Sequence, residues 1–89
     1  MSHLHIQSDR RIEISITYCR VCGFLPRAAW TAQELLATFA EWTSALRLVP
    51  GGGGQFEVAV DGERVFSRKA EGRFPEMKEL REAIAKRLE

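Results

Sequence analysis

Ile12, Ile14, Ile16 and Tyr18 alternate with Glu13, Ser15 and Thr17, and the run ends on Cys19-Arg20-Val21-Cys22-Gly23. A period of two places the apolar side chains on one face of a strand and the polar ones on the other. A central strand covered by helices on both faces reads instead as a continuous apolar run. The strand predicted over 11–18 therefore belongs to a sheet with helices on one side only. Cys19 and Cys22 are the only cysteines in the chain, and they follow this strand directly.

Cys19 to Leu25 form the motif loop. Pro26 suits the first turn of a helix, where its missing N–H costs nothing. The helix is predicted over 26–43, with Ala28, Ala32, Leu35, Phe39 and Trp42 at the spacings of one buried face. Trp30 falls on the opposite face, near the helix start. A second strand is predicted over 45–49, ending at Pro50, and strand, helix, strand in close succession implies a parallel crossover.

Gly51-Gly52-Gly53-Gly54 follows. A phosphate-cradling loop needs a downstream Gly-Lys-Ser/Thr that opens a helix. Here Gln55-Phe56-Glu57-Val58 opens a strand, so the run reads as a connection. Residues 56–60 and 64–69 read as a hairpin around Asp61-Gly62, a type I′ turn signal. A plain two-residue turn sets Val58 opposite Val65 and sends Phe66 to the outer face, where an exposed ring would mark a partner surface. The last helix carries Phe74, Met77, Leu80, Ile84 and Leu88 as its apolar stripe, with Pro75 near its first turn. The charged remainder is a solvated face. The order is β-α-β-β-β-α in an α/β fold, a four-stranded mixed sheet with both helices on one face.

At 89 residues, one domain over 10–89 is expected, behind a polar tail over 1–9. Thirteen basic and twelve acidic residues leave a formal charge of +1. That balance gives no footprint for nucleic acid or for an anionic membrane. No stretch approaches the roughly 20 apolar residues of a membrane helix. The first residues lack the basic and apolar regions of a secretory leader. The expectation is a reducing cytoplasm, where a lone cysteine pair is more often catalytic or metal-binding than a structural staple.

Cys-x-x-Cys at a strand-to-helix junction reads as a redox dithiol. A zinc site needs four ligands, and only His3 and His5 remain to complete one, so no metal is assigned.

Beyond the dithiol, the chain resembles the selenoprotein W-like (Rdx) family of the selenoprotein T/W/H group, from Ile12 to Leu88. The carriers are Tyr18-Cys19-Arg20-Val21-Cys22-Gly23-Phe24, Pro50 with the glycine run, Gly54-Gln55-Phe56-Glu57-Val58, Asp61-Gly62, Val65-Phe66-Ser67-Arg68-Lys69 and Gly72-Arg73-Phe74-Pro75. The resemblance implies a thioredoxin-like fold with Cys19 and Cys22 as its redox pair. Selenocysteine-containing members carry selenocysteine at the position of Cys22. Cysteine stands there in this chain, as in bacterial-type members, which implies a slower version of the same chemistry. Two features depart from thioredoxin. Gly54-Gln55 precedes the third strand where thioredoxins have proline, and the glycine run replaces a helix.

The resemblance further implies a role in cell redox homeostasis or thiol-based regulation, as a possible thiol–disulfide oxidoreductase. The alternative is a redox-regulated adaptor that forms mixed disulfides with a partner. Expected partners are thiol or disulfide proteins, or glutathione as reductant or mixed-disulfide partner. Family members have also been connected with 14-3-3 proteins. No resident cofactor is implied, and the chain is expected as a monomer or weak homodimer. Thioredoxin logic makes Cys19 the attacking sulfur and the placement of selenocysteine makes it Cys22, so both are named. Arg20 adds positive charge within the motif. Phe24, Leu25 and Trp30 are candidates for an apolar surface around it.

Overall fold

The computed structural model describes residues 9–89. Apart from Asp9, the tail expected over 1–9, with His3 and His5, lies outside the described residues. The elements are β1 (Ile12–Cys19), α1 (Leu25–Phe39), a 3-10 turn (Ala40–Trp42), β2 (Thr43–Gly51), β3 (Phe56–Val60), β4 (Glu63–Ser67), α2 (Arg68–Glu71) and α3 (Met77–Leu88). The sheet order is β2-β1-β3-β4. β1 runs parallel to β2 and antiparallel to β3, and β3 is antiparallel to β4. This is the expected mixed sheet, with one short helix added.

The alternation in β1 does what its period dictates. Ile12, Ile14 and Ile16 are wholly buried, while Glu13 is exposed and Ser15 and Thr17 are half-buried. Each isoleucine removed from water contributes about 1.5–3 kcal/mol. They pack with Ala28, Ala32, Leu35 and Phe39 of α1 and with Leu80, Ile84 and Leu88 of α3 in a single core. The opposite sheet face carries polar contacts, including Arg47 to Glu13 at 2.8 Å and Ser67 to Glu57 at 3.1 Å.

β2 is longer than expected and includes Pro50, which sits opposite Tyr18. An edge strand tolerates proline because one side of its backbone needs no ladder partner. The predicted helix over 26–43 stops sooner. After Phe39 the chain tightens into the 3-10 turn, and Trp42 packs at the margin of the core.

The hairpin corrects one expectation. Asp61 (φ 52°) and Gly62 (φ 83°) make the left-handed turn that their sequence demands. The register then shifts between Val58 and Ala59: Ala59 faces Arg64 but Val58 faces Phe66. Val65 is the extra residue of a bulge, and such an insertion exchanges the two faces of the strand beyond it. Phe66 consequently points into the core and is 5% exposed. It does not mark a partner surface.

β4 also ends earlier than expected, at Ser67. The Ser67 hydroxyl accepts from the Ala70 N–H at 3.3 Å and caps α2, which stops at Gly72 in a left-handed conformation. Pro75 lies near the first turn of α3, as expected, two residues before Met77.

Candidate functional site

Cys19 is the last residue of β1 and is 0% exposed. Its N–H donates to the Gln55 carbonyl at 2.8 Å, and the next N–H, of Arg20, donates to the Gly51 carbonyl at 3.0 Å. The glycine run is thus fastened against the motif. Gln55 holds the run closed, its N–H donating to the Gly52 carbonyl and its Oε1 accepting from the Gly52 N–H, each at 3.2 Å. A Cβ on Gly51 would displace the Gln55 amide, whose Oε1 accepts from the Gly52 N–H, and would press on Cγ2 of Thr17.

Beyond Arg20 the chain reverses. The Gly23 N–H donates to the Arg20 carbonyl at 3.2 Å and the Phe24 N–H to the Cys19 carbonyl at 3.4 Å. Gly23 has φ of 77°, a left-handed conformation that costs an L side chain about 1–2 kcal/mol. The reversal brings Cys22 back over Cys19. The two are joined as a disulfide with Cα atoms 5.3 Å apart, inside the range such a bond requires. Cys22 is exposed, so one residue of the pair is buried and the other lies at the surface.

α1 begins immediately after. Its N-cap residue, Phe24, makes no side-chain cap, and its first turn holds no acidic residue. The positive end of the helix therefore faces the motif loop without a side-chain anion of its own.

Phe24 turns inward instead of forming a surface. Its ring meets Phe74 edge-on with centroids 4.9 Å apart, and Phe74 meets Phe56 at 5.4 Å. Two guanidinium groups stack on this cluster. Arg27 lies 4.0 Å from the Phe74 centroid, and Arg68 lies 4.9 Å from Phe74 and 5.3 Å from Phe24. Arg68 also donates to the Gly54 carbonyl at 3.3 Å, which ties α2 to the glycine run.

Of the expected site residues, Cys19 and Cys22 come together, Arg20 is exposed between them and Phe24 lies under the loop. Trp30 is 52% exposed on the outer side of α1, and no ring contact joins it to the motif among the described residues. Leu25 and Val21 are exposed beside Cys22 at 48% and 77%. Arg68, Phe74, Gln55 and Gly51 belong to the site without having been assigned a role there from sequence. Their contacts with residues 19–24 reach across 31 to 50 positions of chain, and no local spacing announces them.

The Rdx family model matches residues 13–86. The chain is 33% identical over 81 residues to the mouse protein Migration and invasion enhancer 1, a match covering 89% of this chain and 67% of that protein. Its structure is similar to that of a selenoprotein W-related protein from Vibrio cholerae (TM-score 0.87, 40% identity, 90% of this chain and 100% of the other). It shares a fold with the Drosophila thioredoxin Deadhead (TM-score 0.50, 15% identity, 88% of this chain and 82% of the other). The Cys-x-x-Cys pair thus sits at the end of β1 on a thioredoxin-like fold. The chain is a selenoprotein W-like member of the Rdx family.

Proposed function

We propose that the protein is a thiol–disulfide redox protein in which Cys22 exchanges with the substrate and Cys19 resolves. The observation that carries this reading is the unequal burial of the pair: Cys19 is 0% exposed, whereas Cys22 lies on the surface. Exchange requires an attacking sulfur to approach a disulfide in line, so access decides which sulfur meets the substrate. The Cys22 thiolate attacks one sulfur of a substrate disulfide, forming a mixed disulfide and releasing the other half as a thiolate. The Cys19 thiolate then attacks the Cys22 sulfur and releases the second half. The substrate gains two electrons, and the protein is left with the Cys19–Cys22 bond. An external thiol such as glutathione, or a dithiol protein, reverses the cycle by attacking Cys22.

The environment favours the thiolate. The uncapped start of α1 and Arg20 within the motif both place positive charge near the motif, which attracts the negative charge that develops on sulfur during exchange. The buried position of Cys19 suits a resolving group, which needs to reach only Cys22.

A second reading is a redox-regulated adaptor. It is favoured by the exposed apolar side chains Val21, Leu25 and Trp30, which offer contact area to a partner protein linked through Cys22. Turnover separates the two readings. An oxidoreductase cycles with a reductant, whereas an adaptor forms one lasting mixed disulfide.

Redox titration with thiol trapping of the wild type, Cys19→Ser and Cys22→Ser tests the primary reading. The expected result is reversible formation of the Cys19–Cys22 bond in the wild type alone. A pair that stays fully reduced across the biological potential range would sink it. In cells, the reading places the protein in a reducing compartment such as the cytoplasm, as monomer or weak homodimer. No helix among the described residues is long and apolar enough to cross a membrane.

A further inference from the structure

Six arginines are matched to carboxylates: Arg10 with Asp61, Arg47 with Glu13, Arg64 with Glu57, Arg73 with Glu79, Arg81 with Glu34 and Arg87 with Glu63. Arg11, at the start of β1, donates only to backbone carbonyls. The remaining three, Arg20, Arg27 and Arg68, have no carboxylate partner among the described residues; Arg20 lies within the motif, Arg68 stacks over Phe24, which follows the motif, and Arg27 over Phe74, on which Phe24 packs. Arg27 is in the first turns of α1. Arg68 bonds to the Gly54 carbonyl, next to the Gln55 carbonyl that receives the Cys19 N–H. Lys69 approaches the same loop, with Nζ 3.9 Å from where a Cβ on Gly53 would stand.

The segments that converge here exclude acids. Residues 14–33, 42–56 and 64–70 contain no Asp or Glu in a chain that has twelve. Of the nearest acidic side chains, Glu71 shares α2 with Arg68 and Lys69 but forms no ion pair with them, Glu79 binds Arg73 at 2.6 Å, and Glu71 and Glu76 also act on Arg73. Arg68 is half-buried, and its Nε is enclosed without a hydrogen-bond partner. Holding cations together unmatched costs stability, so a rim of this kind needs a role, and an anion brought by a substrate supplies the missing charge.

We infer that the cationic rim formed by Arg20, Arg27, Arg68 and Lys69 selects disulfides that carry carboxylates beside the sulfur. This rests on the redox reading above, with Cys22 as the exchanging sulfur. The substrate's carboxylates approach the guanidinium groups while Cys22 forms the mixed disulfide. The leaving group departs as a thiolate into the same positive field. The carboxylates belong either to a small acid or to acidic residues flanking a cysteine of a peptide.

The test is the rate at which the reduced wild-type protein exchanges with three small disulfides: dithiodipropionate (two carboxylates), hydroxyethyl disulfide (neutral) and cystamine (two ammonium groups). Each rate is divided by the rate for dithiothreitol in the same buffer, which removes intrinsic differences between the disulfides. A pair of peptide disulfides, flanked by aspartate or by lysine, forms the second arm. The expected result is a preference of about tenfold for the anionic over the cationic disulfide at low salt. It disappears in about 1 M salt, where the screening length is about 3 Å. Arg20→Gln, on an exposed side chain whose loss spares the fold, lowers the preference about two- to threefold, and Arg68→Gln does likewise. A preference confined to the peptides assigns a protein substrate, and one present in both arms assigns carboxylates of either source. Equal normalised rates for all charges overturn the inference and leave the redox reading intact. Exchange with none of them is instead the failure of the redox reading itself.

Discussion

At the end of the sheet that carries the Asp61–Gly62 turn, cations and anions are matched. Arg10 reaches Asp61, Arg87 reaches Glu63 at 2.8 Å, and the Asp61 carboxylate also accepts the Glu13 N–H at 2.9 Å. At the opposite end, where β1 delivers Cys19, Arg27 and Arg68 lie on aromatic rings and on a backbone carbonyl, with no carboxylate paired to them among the described residues. The same sheet thus ends once in complementary charge and once in unmatched positive charge around a sulfur pair. The first arrangement stabilises the fold. The second keeps charge available for chemistry, as pKa-tuned sites do. A substitution at one end is expected to leave the property of the other end unchanged.

The largest expected effect lies between the two ends. Phe66→Ala removes a buried ring from the core and lowers stability by about 3–5 kcal/mol, read by chemical denaturation. A cost under about 0.5 kcal/mol, the size of an ordinary surface change, would return Phe66 to the outer face and remove the bulge. Asp61→Ala comes next. It deletes the acceptor for the Glu13 N–H and the partner of Arg10, costing about 1–2 kcal/mol, while the alkylation rate of reduced Cys22 stays as in the wild type. A changed sulfur reactivity would break the separation of the two ends.

Gly51→Ala acts at the sulfur end, because its Cβ collides with Gln55 Oε1. It is expected to cost about 1–2 kcal/mol through the displaced loop and, unlike Asp61→Ala, to alter Cys22 alkylation. Smallest is the pH effect of Glu79. The Arg73 guanidinium, followed by the Glu76 N–H, holds its carboxyl at about 2, below the ordinary 4.5. A depressed folded-state pKa contributes stability above the unfolded value and loses it as pH falls through the folded one. The stability gap between wild type and Glu79→Gln therefore shrinks from about pH 4.5 towards about 2. The side chain is partly exposed, so the gap at neutral pH is below about 1 kcal/mol. A gap that widens on acidification would contradict the Arg73–Glu79 contact.

The parts of the fold legible in the sequence were those fixed by local period and local turn chemistry. Alternation over Ile12–Tyr18 announced a one-sided sheet, and Asp61-Gly62 announced its turn. The bulge at Val65 was not legible, since one inserted residue leaves the apolar composition of β4 unchanged while reversing its faces. The Ser67 cap of α2 was present as a residue but lay inside the strand-like run over 64–69, and its Gly72 stop lay in the connection just beyond. At the site, the spacing of Cys19 and Cys22 was visible at once. Their unequal burial was not, because it depends on Gln55 and Gly51 closing over Cys19 from a distant segment. The unmatched state of Arg27 and Arg68 likewise emerges only when three acid-free segments meet.

The difference between the two cysteines is central to the proposed chemistry, and trapping of a mixed disulfide reads it directly. Cys19→Ser and Cys22→Ser, each fully reduced, are offered the same small disulfide, and the linked species is followed by intact mass over time. With Cys22 on the surface and Cys19 enclosed, Cys19→Ser is expected to form the mixed disulfide about a hundredfold faster than Cys22→Ser. Equal rates, or faster capture through Cys19 in the Cys22→Ser variant, would contradict the assignment of Cys22 as the exchanging sulfur.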